Sequence, residues 1–108
     1  MRDRLQSNKC ARFLKALADP DRLKIIQCLQ AGPKNVTDLA QALGKELANV
    51  SHHLGVLRHA GLVLDEKQGR FVLYRLHPDV CRTGNEHLDL GCCRLEIPRD
   101  DTPGQQDR

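Results

Sequence analysis

Three cysteines near the C-terminus, Cys81, Cys92 and Cys93, carry the side chains best suited to chemistry in this sequence. Thiolates bind soft ions such as As(III), Sb(III), Cu(I), Cd(II) and Zn(II), and they do not select Mg²⁺ or Ca²⁺. Three sulfur ligands suit the trigonal coordination of a metalloid. Adjacent side chains of a regular strand point to opposite faces, so Cys92 and Cys93 can share one ion only if Gly91 permits a turn.

Two further residues of the same segment have the chemistry of zinc ligands. His87 and Asp89 are two positions apart, which places them on the same side of an extended strand. An ordinary surface position is the simpler interpretation of both. The predicted metal ligands are therefore the three cysteines, with His87 and Asp89 as secondary ligands.

The other two cysteines, Cys10 and Cys28, fit no such group. The chain has five cysteines, an odd number, and it lacks an apolar segment typical of a signal peptide or a membrane span. We therefore expect a cytoplasmic protein with no membrane association and no disulfide framework. Cys10 is expected to be a packing or surface residue, and Cys28 a small buried hydrophobe.

Residues 35–61 have the pattern of two helices joined by a turn. Asn35 is a suitable N-cap for the first helix, and Gly44 is expected to end it. The second helix has an apolar stripe at helical spacing, formed by Leu47, Val50, Leu54 and Leu57. Such a helix-turn-helix places its second helix in the major groove of DNA. Ala48, Asn49 and His52 lie opposite the stripe and suit that groove.

The flanking segments supply the rest of the fold. A helix is predicted over about residues 3–18, and a second one begins at Asp19 and Pro20 and ends at Gly32. Residues 62–65 and 71–76 are predicted to form a hairpin, with Lys67 and Arg70 at its basic tip. This tip is suited to contact phosphate or a minor groove, and a solvated turn is an equally good interpretation.

Size and composition limit the architecture. The chain has 108 residues, a net charge of +3 and only three aromatic residues. We expect a single domain over residues 1–97 with an aliphatic core and a disordered tail over residues 98–108. The fold class is mainly α with a small β-hairpin.

Three stretches together resemble the winged-helix repressors of the ArsR/SmtB family. They are LKALADPDRLKIIQCL, VTDLAQALGKELANVSHHLGVLRHAGLV and GRFVLYRL, within residues 14–76. The resemblance implies a homodimer that binds double-stranded operator DNA and is released by a metal ion, a metalloid or an oxidant. Matching the motif assigns DNA contact to Ala48, Asn49, Ser51, His52 and His53, with the wing tip at Lys67 and Arg70. The helical pattern places Ser51 and His53 at the flanks of the reading face, where phosphate contact is favoured.

The sensing sites of this family occur at different places. Its best-known cysteine box corresponds to residues 35–39, NVTDL, which contain no cysteine. A redox switch of other members uses a cysteine in the second helix, and Cys28 lies one residue from the expected position, Gln27. Some arsenic-responsive members carry an adjacent cysteine pair and a third cysteine at the C-terminus, a set similar to the one in this chain. The family's last helix is not evident, because Gly84 and Gly91 interrupt the corresponding region.

We therefore expect a sequence-specific DNA-binding repressor that is released by a thiophilic ion, As(III) being favoured, at Cys81, Cys92 and Cys93. The alternatives are the same repressor with cysteine redox sensing of sulfide or peroxide, a ligand-independent regulator, and a winged helix used only for protein contact. No glycine-rich phosphate loop or oxyanion-hole motif accompanies the thiols and histidines, so catalysis is not expected.

Overall fold

The computed structural model of the chain describes residues 7–81 and 86–98. Four α-helices come first: α1 (Ser7–Leu17), α2 (Pro20–Gln30), α3 (Val36–Leu43) and α4 (Leu47–Ala60). The predicted start of the first helix near residue 3, the predicted break at Gly84 and most of the predicted tail lie outside the described residues. None of the described helices is long and apolar enough to cross a bilayer.

The cap of α2 is the one that the sequence predicts. The Asp19 carboxylate accepts hydrogen bonds from the backbone N–H groups of Asp21 at 2.8 Å and Arg22 at 3.1 Å. Because these bonds favour the charged carboxylate, chiefly the one from Arg22, they hold the pKa of Asp19 below its usual value. Pro20 occupies the first turn, where a missing N–H costs nothing.

The helix-turn-helix is also formed as predicted. The side chain of Asn35 accepts a hydrogen bond from the backbone N–H of Asp38 at 2.7 Å and so caps α3. Gly44 ends that helix with φ at 68°, in the left-handed region that favours glycine. A turn of three residues then leads into α4.

A three-stranded antiparallel sheet forms the wing. Its strands are β1 (Lys34–Asn35), β2 (Val63–Gln68) and β3 (Phe71–Leu76), in the order β1-β3-β2. The predicted end of the first hairpin strand at residue 65 was wrong, because pairing continues from Val63↔Leu76 to Gln68↔Phe71 and leaves a two-residue loop at Gly69 and Arg70. Strand β1 was not predicted, since two residues carry no periodic signal.

The core is aliphatic, as the composition predicts. Its fully buried side chains come from every helix except α1 and from the segments after α4, and the largest are Ile25, Ile26, Leu29, Leu39, Leu54, Leu57, Leu62 and Leu88. Helix α1 adds Phe13 and Leu17, which are nearly as deeply buried. One residue of the predicted apolar stripe differs: Leu47, at the first turn of α4, is 53% exposed.

The C-terminal segment forms a second small sheet. A 3₁₀ turn (Pro78–Val80) precedes β4 (Leu88–Asp89) and β5 (Arg94–Leu95), which pair antiparallel around Gly91. This confirms the predicted extended segment with an interruption at Gly91. Leu88 is fully buried, and burial of a leucine contributes about 2 kcal/mol. The hairpin is therefore anchored in the main core, and no helix occurs in the described residues after position 80.

Candidate DNA-reading surface and thiol cluster

The N-terminal half of α4 presents a continuous exposed face. Its small and polar members are Ala48, Asn49, Ser51 and His52, all exposed. Val50 and Leu54 on the opposite side are completely buried and hold the helix against the core. Exposed Leu47 extends the same face with an apolar group, which in a major groove suits contact with a thymine methyl. The helical periodicity of the sequence placed Leu47 in the core. Leu47 is exposed because the first turn of α4 extends beyond the core that the rest of the helix packs on.

His53 does not belong to this face. Only 8% of the residue is exposed, and its ring lies against α2, where Nδ1 is 3.1 Å from Nη1 of Arg22. The expectation that His53 contacts phosphate is therefore not supported by its position. On the helical pattern His53 falls at the edge of the apolar stripe, and polar groups supplied by α2 satisfy its ring there.

The wing presents basic and apolar groups together. Arg70 lies in the loop between the strands, and Lys67 lies within β2 opposite Val72; both are exposed. Phe71, which follows Arg70, is 60% exposed. A positively charged hairpin tip of this kind is able to contact a phosphate backbone beside the groove that holds α4.

The two adjacent cysteines converge at the turn between β4 and β5. Gly91 has φ at 92°, and the backbone N–H of Leu90 donates to the carbonyl of Cys93 at 2.9 Å. The side chain of Asp89 closes the turn by accepting from the N–H of Gly91 at 3.0 Å. The Sγ atoms of Cys92 and Cys93 then lie 3.8 Å apart. This is the turn that the sequence requires if both thiols are to bind one ion.

The third member of the cluster differs from the predicted one. Cys10 of α1 forms a disulfide with Cys92, and the sulfur atoms of Cys10, Cys92 and Cys93 all lie within 4.8 Å of one another. Cys81 is partly buried against the core and is not a member of this group. The expectation of no disulfide framework differs from this pairing. Cys10 is buried, in agreement with its description as a packing residue, and the assignment of Cys81 as an ion ligand stays a prediction. Cys10 and Cys92 are 82 positions apart, so no local sequence pattern indicates that they pair.

The spacing of the sulfur atoms suits a soft ion. Two thiolates bound at about 2.3 Å to one tetrahedral zinc ion stand roughly 3.8 Å apart. The Sγ atoms of Cys92 and Cys93 already have that separation, and the third sulfur is close to both. All three thiols are available only when the Cys10–Cys92 bond is reduced. His87 and Asp89 belong to no such ligand group in the part of the chain that the structure describes.

A second group of potential ligands is explained by contacts within the protein. Donor atoms of Asp19, Asp21 and His53 also lie within 4.8 Å of one another. Asp19 is engaged as a helix cap, Oδ2 of Asp21 is 3.7 Å from Nζ of Lys45, and His53 contacts the Arg22 guanidinium. Two cationic side chains in the group disfavour a bound cation. This group is an ion-pair network at the N-terminus of α2.

The chain combines a helix-turn-helix, flanking helices and a three-stranded wing with a basic hairpin tip. This combination defines a winged helix-turn-helix DNA-binding protein. Comparison with known families narrows this class further. Residues 19–64 match the family described as bacterial regulatory protein, arsR family. The regulator NmtR of Mycobacterium tuberculosis is 46% identical over 88 residues, which are 75% of this chain and 73% of that protein. The chain belongs to the ArsR family and is a DNA-binding transcriptional repressor of that family.

Two further relatives agree with this assignment. The arsenical resistance operon repressor of Escherichia coli K12 is 45% identical over 69 residues, which cover 63% of this chain and 59% of that repressor. A solved homodimeric winged helix-turn-helix domain from Mycobacterium bovis, described as a possible ArsR-family transcriptional regulator, superposes with a TM-score of 0.65. It is 34% identical and covers 71% of this chain and 73% of that domain.

Proposed function

We propose that this protein is a homodimeric repressor whose affinity for operator DNA falls when a thiophilic ion binds Cys10, Cys92 and Cys93. The observation that carries the proposal is the convergence of three sulfur atoms from two distant segments within 4.8 Å. Thiolates that meet in this way select soft ions, and trigonal sulfur coordination favours As(III) over Zn(II) or Cd(II). The similarity to the E. coli arsenical resistance repressor supports the same effector class.

In the DNA-bound state α4 enters the major groove. Ala48, Asn49 and His52 face the base edges, and Ser51 contacts the adjacent phosphate, as their exposed positions allow. Arg70 and Lys67 of the wing contact the neighbouring backbone. A two-fold dimer presents two such helices to successive major grooves, about 34 Å apart. The homodimeric M. bovis neighbour supports this assembly.

Ion binding draws α1 and the C-terminal hairpin together at one point. Cys10 lies in the second turn of α1, whereas Cys92 and Cys93 lie in the β4–β5 turn, which Leu88 and Leu90 anchor in the core. Three bonds to one ion fix the position of α1 relative to this anchored turn. A repressor whose two reading helices are thereby shifted loses affinity for DNA by a coupling of order 1–3 kcal/mol.

The test is a titration of the fully reduced protein with As(III), Zn(II) and Cd(II). Thiolate absorption reports binding, and fluorescence anisotropy of labelled operator DNA reports release in the same samples. We expect As(III) to bind one per chain and to release DNA, and the Cys92→Ser and Cys93→Ser variants to bind DNA without responding. A variant that combines Cys92→Ser with Cys93→Ser and still releases DNA at the As(III) concentration that releases the wild type contradicts the proposal.

The Cys10–Cys92 disulfide favours a second function, thiol-based redox sensing. Two thiols and hydrogen peroxide give the disulfide and two molecules of water, so the thiols lose two protons and two electrons. Oxidation in this way would join the same two segments that an ion joins. Mass measurement after exposure to As(III) or to peroxide separates the two functions, because only the former adds the mass of an ion.

A further inference from the structure

The ring of His53 is buried and connects α4 to α2. Apart from Gln30, it is the only polar or charged side chain that is buried in the described chain. A buried imidazole requires partners for its nitrogen atoms. Both partners come from α2: Arg22 at Nδ1, at 3.1 Å, and Asp21 at Nε2, at 3.7 Å.

The chemistry of these partners fixes the form of the ring. A guanidinium donates hydrogen bonds and cannot accept them, so Nδ1 of His53 is the acceptor. The proton of the neutral ring is therefore on Nε2, facing Oδ2 of Asp21. Asp21 also lies 3.7 Å from Nζ of Lys45, in the turn that leads into α4. Asp21 thus contacts both the turn before the reading helix, through Lys45, and the middle of that helix, through His53.

Arg22 also contacts α1. Its Nε donates to the backbone carbonyl of Ala16 at 2.5 Å, in the last turn of α1, where carbonyl groups have no partner within the helix. One planar guanidinium therefore joins α1 to His53 of α4. Because its N–H groups are fixed in one plane, Ala16 cannot move relative to α4 without weakening one of the two bonds.

Helix α1 also carries a ligand of the thiol cluster. Cys10 and Ala16 lie six residues apart on this helix, about 9 Å along its axis. Movement of Cys10 toward the β4–β5 turn therefore displaces the Ala16 carbonyl as part of a rigid helix. His53 directly follows His52 of the reading face, and their ring centroids are 5.7 Å apart. A displaced Arg22 consequently moves the reading face itself.

We propose that Arg22 and His53 are positioning residues that transmit the displacement of α1, caused by ion binding at Cys10, Cys92 and Cys93, to the reading face of α4. This inference rests on the proposed function. It assigns no DNA contact to His53. The contact of Nδ1 with Arg22 carries the coupling, and the contact of Nε2 with Asp21 holds the ring in place.

Two substitutions of His53 separate the roles of its nitrogen atoms. In His53→Asn the side-chain oxygen takes the place of Nδ1 and still accepts from Arg22, whereas in His53→Gln the amide reaches the place of Nε2 and the Nδ1 acceptor is lost. Each full-length variant is measured for three quantities: operator affinity without ion, As(III) affinity without DNA, and the ratio of operator affinities without and with As(III).

We expect both variants to keep As(III) affinity and ion-free operator affinity within about threefold of the wild type. The release ratio, typically 5- to 150-fold for coupled sites, should be retained in His53→Asn and fall to about 1–2 in His53→Gln. A Gln variant that responds like the wild type overturns the inference, as does an Asn variant that loses the response while still binding DNA and ion.

Arg22→Lys provides an independent route if both His53 variants unfold. Lysine keeps the charge but has one ammonium group, which cannot reproduce the planar pair of bonds to Ala16 and His53. We expect loss of the release ratio with DNA and As(III) binding retained, and a full ratio in this variant overturns the inference. A wild-type protein that binds As(III) but keeps its DNA contradicts the proposed function and the inference together; a responsive wild type with responsive variants contradicts only the inference.

Discussion

Cys92 and Cys93 are adjacent in sequence, yet their Sγ atoms lie 3.8 Å apart. This proximity depends on the backbone at Gly91, whose φ of 92° redirects the chain before the two cysteines. In a regular strand the two side chains would diverge to opposite faces. The short distance between the two sulfur atoms therefore depends on the turn, and the turn depends on the left-handed backbone of Gly91.

Gly91→Ala should therefore weaken ion binding without touching a sulfur atom. A Cβ at this position meets no atom within 4 Å, so the cost comes from the left-handed backbone, about 1–2 kcal/mol. Reduced As(III) affinity by thiolate titration and a lower Tm are expected. Gly55→Ala, in open space within α4, is the matched control and should raise stability by roughly 0.5–1 kcal/mol. Unchanged ion affinity in Gly91→Ala would show that the turn does not set the site.

Cys10→Ser and Cys81→Ser separate the observed cluster from the one that the sequence predicts. Loss of the Cys10 thiol leaves two sulfur ligands. Removal of an outer-shell partner of a metal ligand already costs about 10- to 100-fold in affinity, so As(III) affinity should fall by at least about tenfold. Cys81 is outside the cluster, and its variant should bind As(III) like the wild type. The opposite pattern in a thiolate absorption titration would show that Cys81, and not Cys10, is the third ligand of the ion.

The fold was largely predictable because its signals are local. Asp19 and Pro20 begin α2, Asn35 begins α3 and Gly44 ends it, and each acts within a few residues along the chain. The adjacent pair Cys92 and Cys93, and the need for a turn at Gly91, were equally local. The structural role of each of these residues could therefore be predicted from its neighbours in the sequence.

What sequence reasoning missed depends on contacts between distant segments. Cys10 and Cys92 meet in the fold although they are 82 residues apart in the sequence. His53 is buried because α2 supplies Arg22 and Asp21 to satisfy its ring, so a polar residue at the edge of the helical stripe turns inward. Leu47 is exposed for the converse reason, since the core does not extend under the first turn of α4.

His52→Ala should weaken operator binding with little effect on folding. His52 is exposed at the centre of the reading face, and a lost base contact costs about 1–3 kcal/mol, or roughly 5- to 150-fold in Kd. His59→Ala is the control, because His59 is also exposed but lies in the last turn of the same helix. Anisotropy titrations at one fixed salt concentration compare the two. Equal affinity of both variants and the wild type would remove His52 from the interface.

Arg70→Ala tests the wing. Each phosphate contact that is lost should reduce the slope of log K against log salt concentration by about 1, with weaker binding to operator and to non-specific DNA alike. Lys24, exposed on α2, is outside the proposed interface, so Lys24→Ala should leave the slope unchanged. A slope that is identical in Arg70→Ala and the wild type would mean that the wing tip is only a solvated turn.

The cap at Asp19 makes stability depend on pH. Its pKa is held low in the folded protein by the backbone N–H of Arg22, then by that of Asp21 and by nearby positive charge. The charged carboxylate therefore stabilises the fold at pH values above its unfolded pKa, about 3.9, and this contribution is lost as the pH falls through the folded pKa. Asp19→Asn keeps a capping oxygen but has no charge to lose, whereas Asp19→Ala removes the cap at every pH.

Thermal unfolding of the three proteins between pH 7 and pH 2.5 measures this difference. At neutral pH both variants should melt below the wild type, by a few degrees for Asp19→Ala and by less for Asp19→Asn. As the carboxylate of the wild type becomes protonated, its Tm should approach that of Asp19→Asn. A Tm difference between these two that stays constant into acid would mean that the cap acts only through its hydrogen bonds and that the carboxylate charge contributes nothing to the stability of α2.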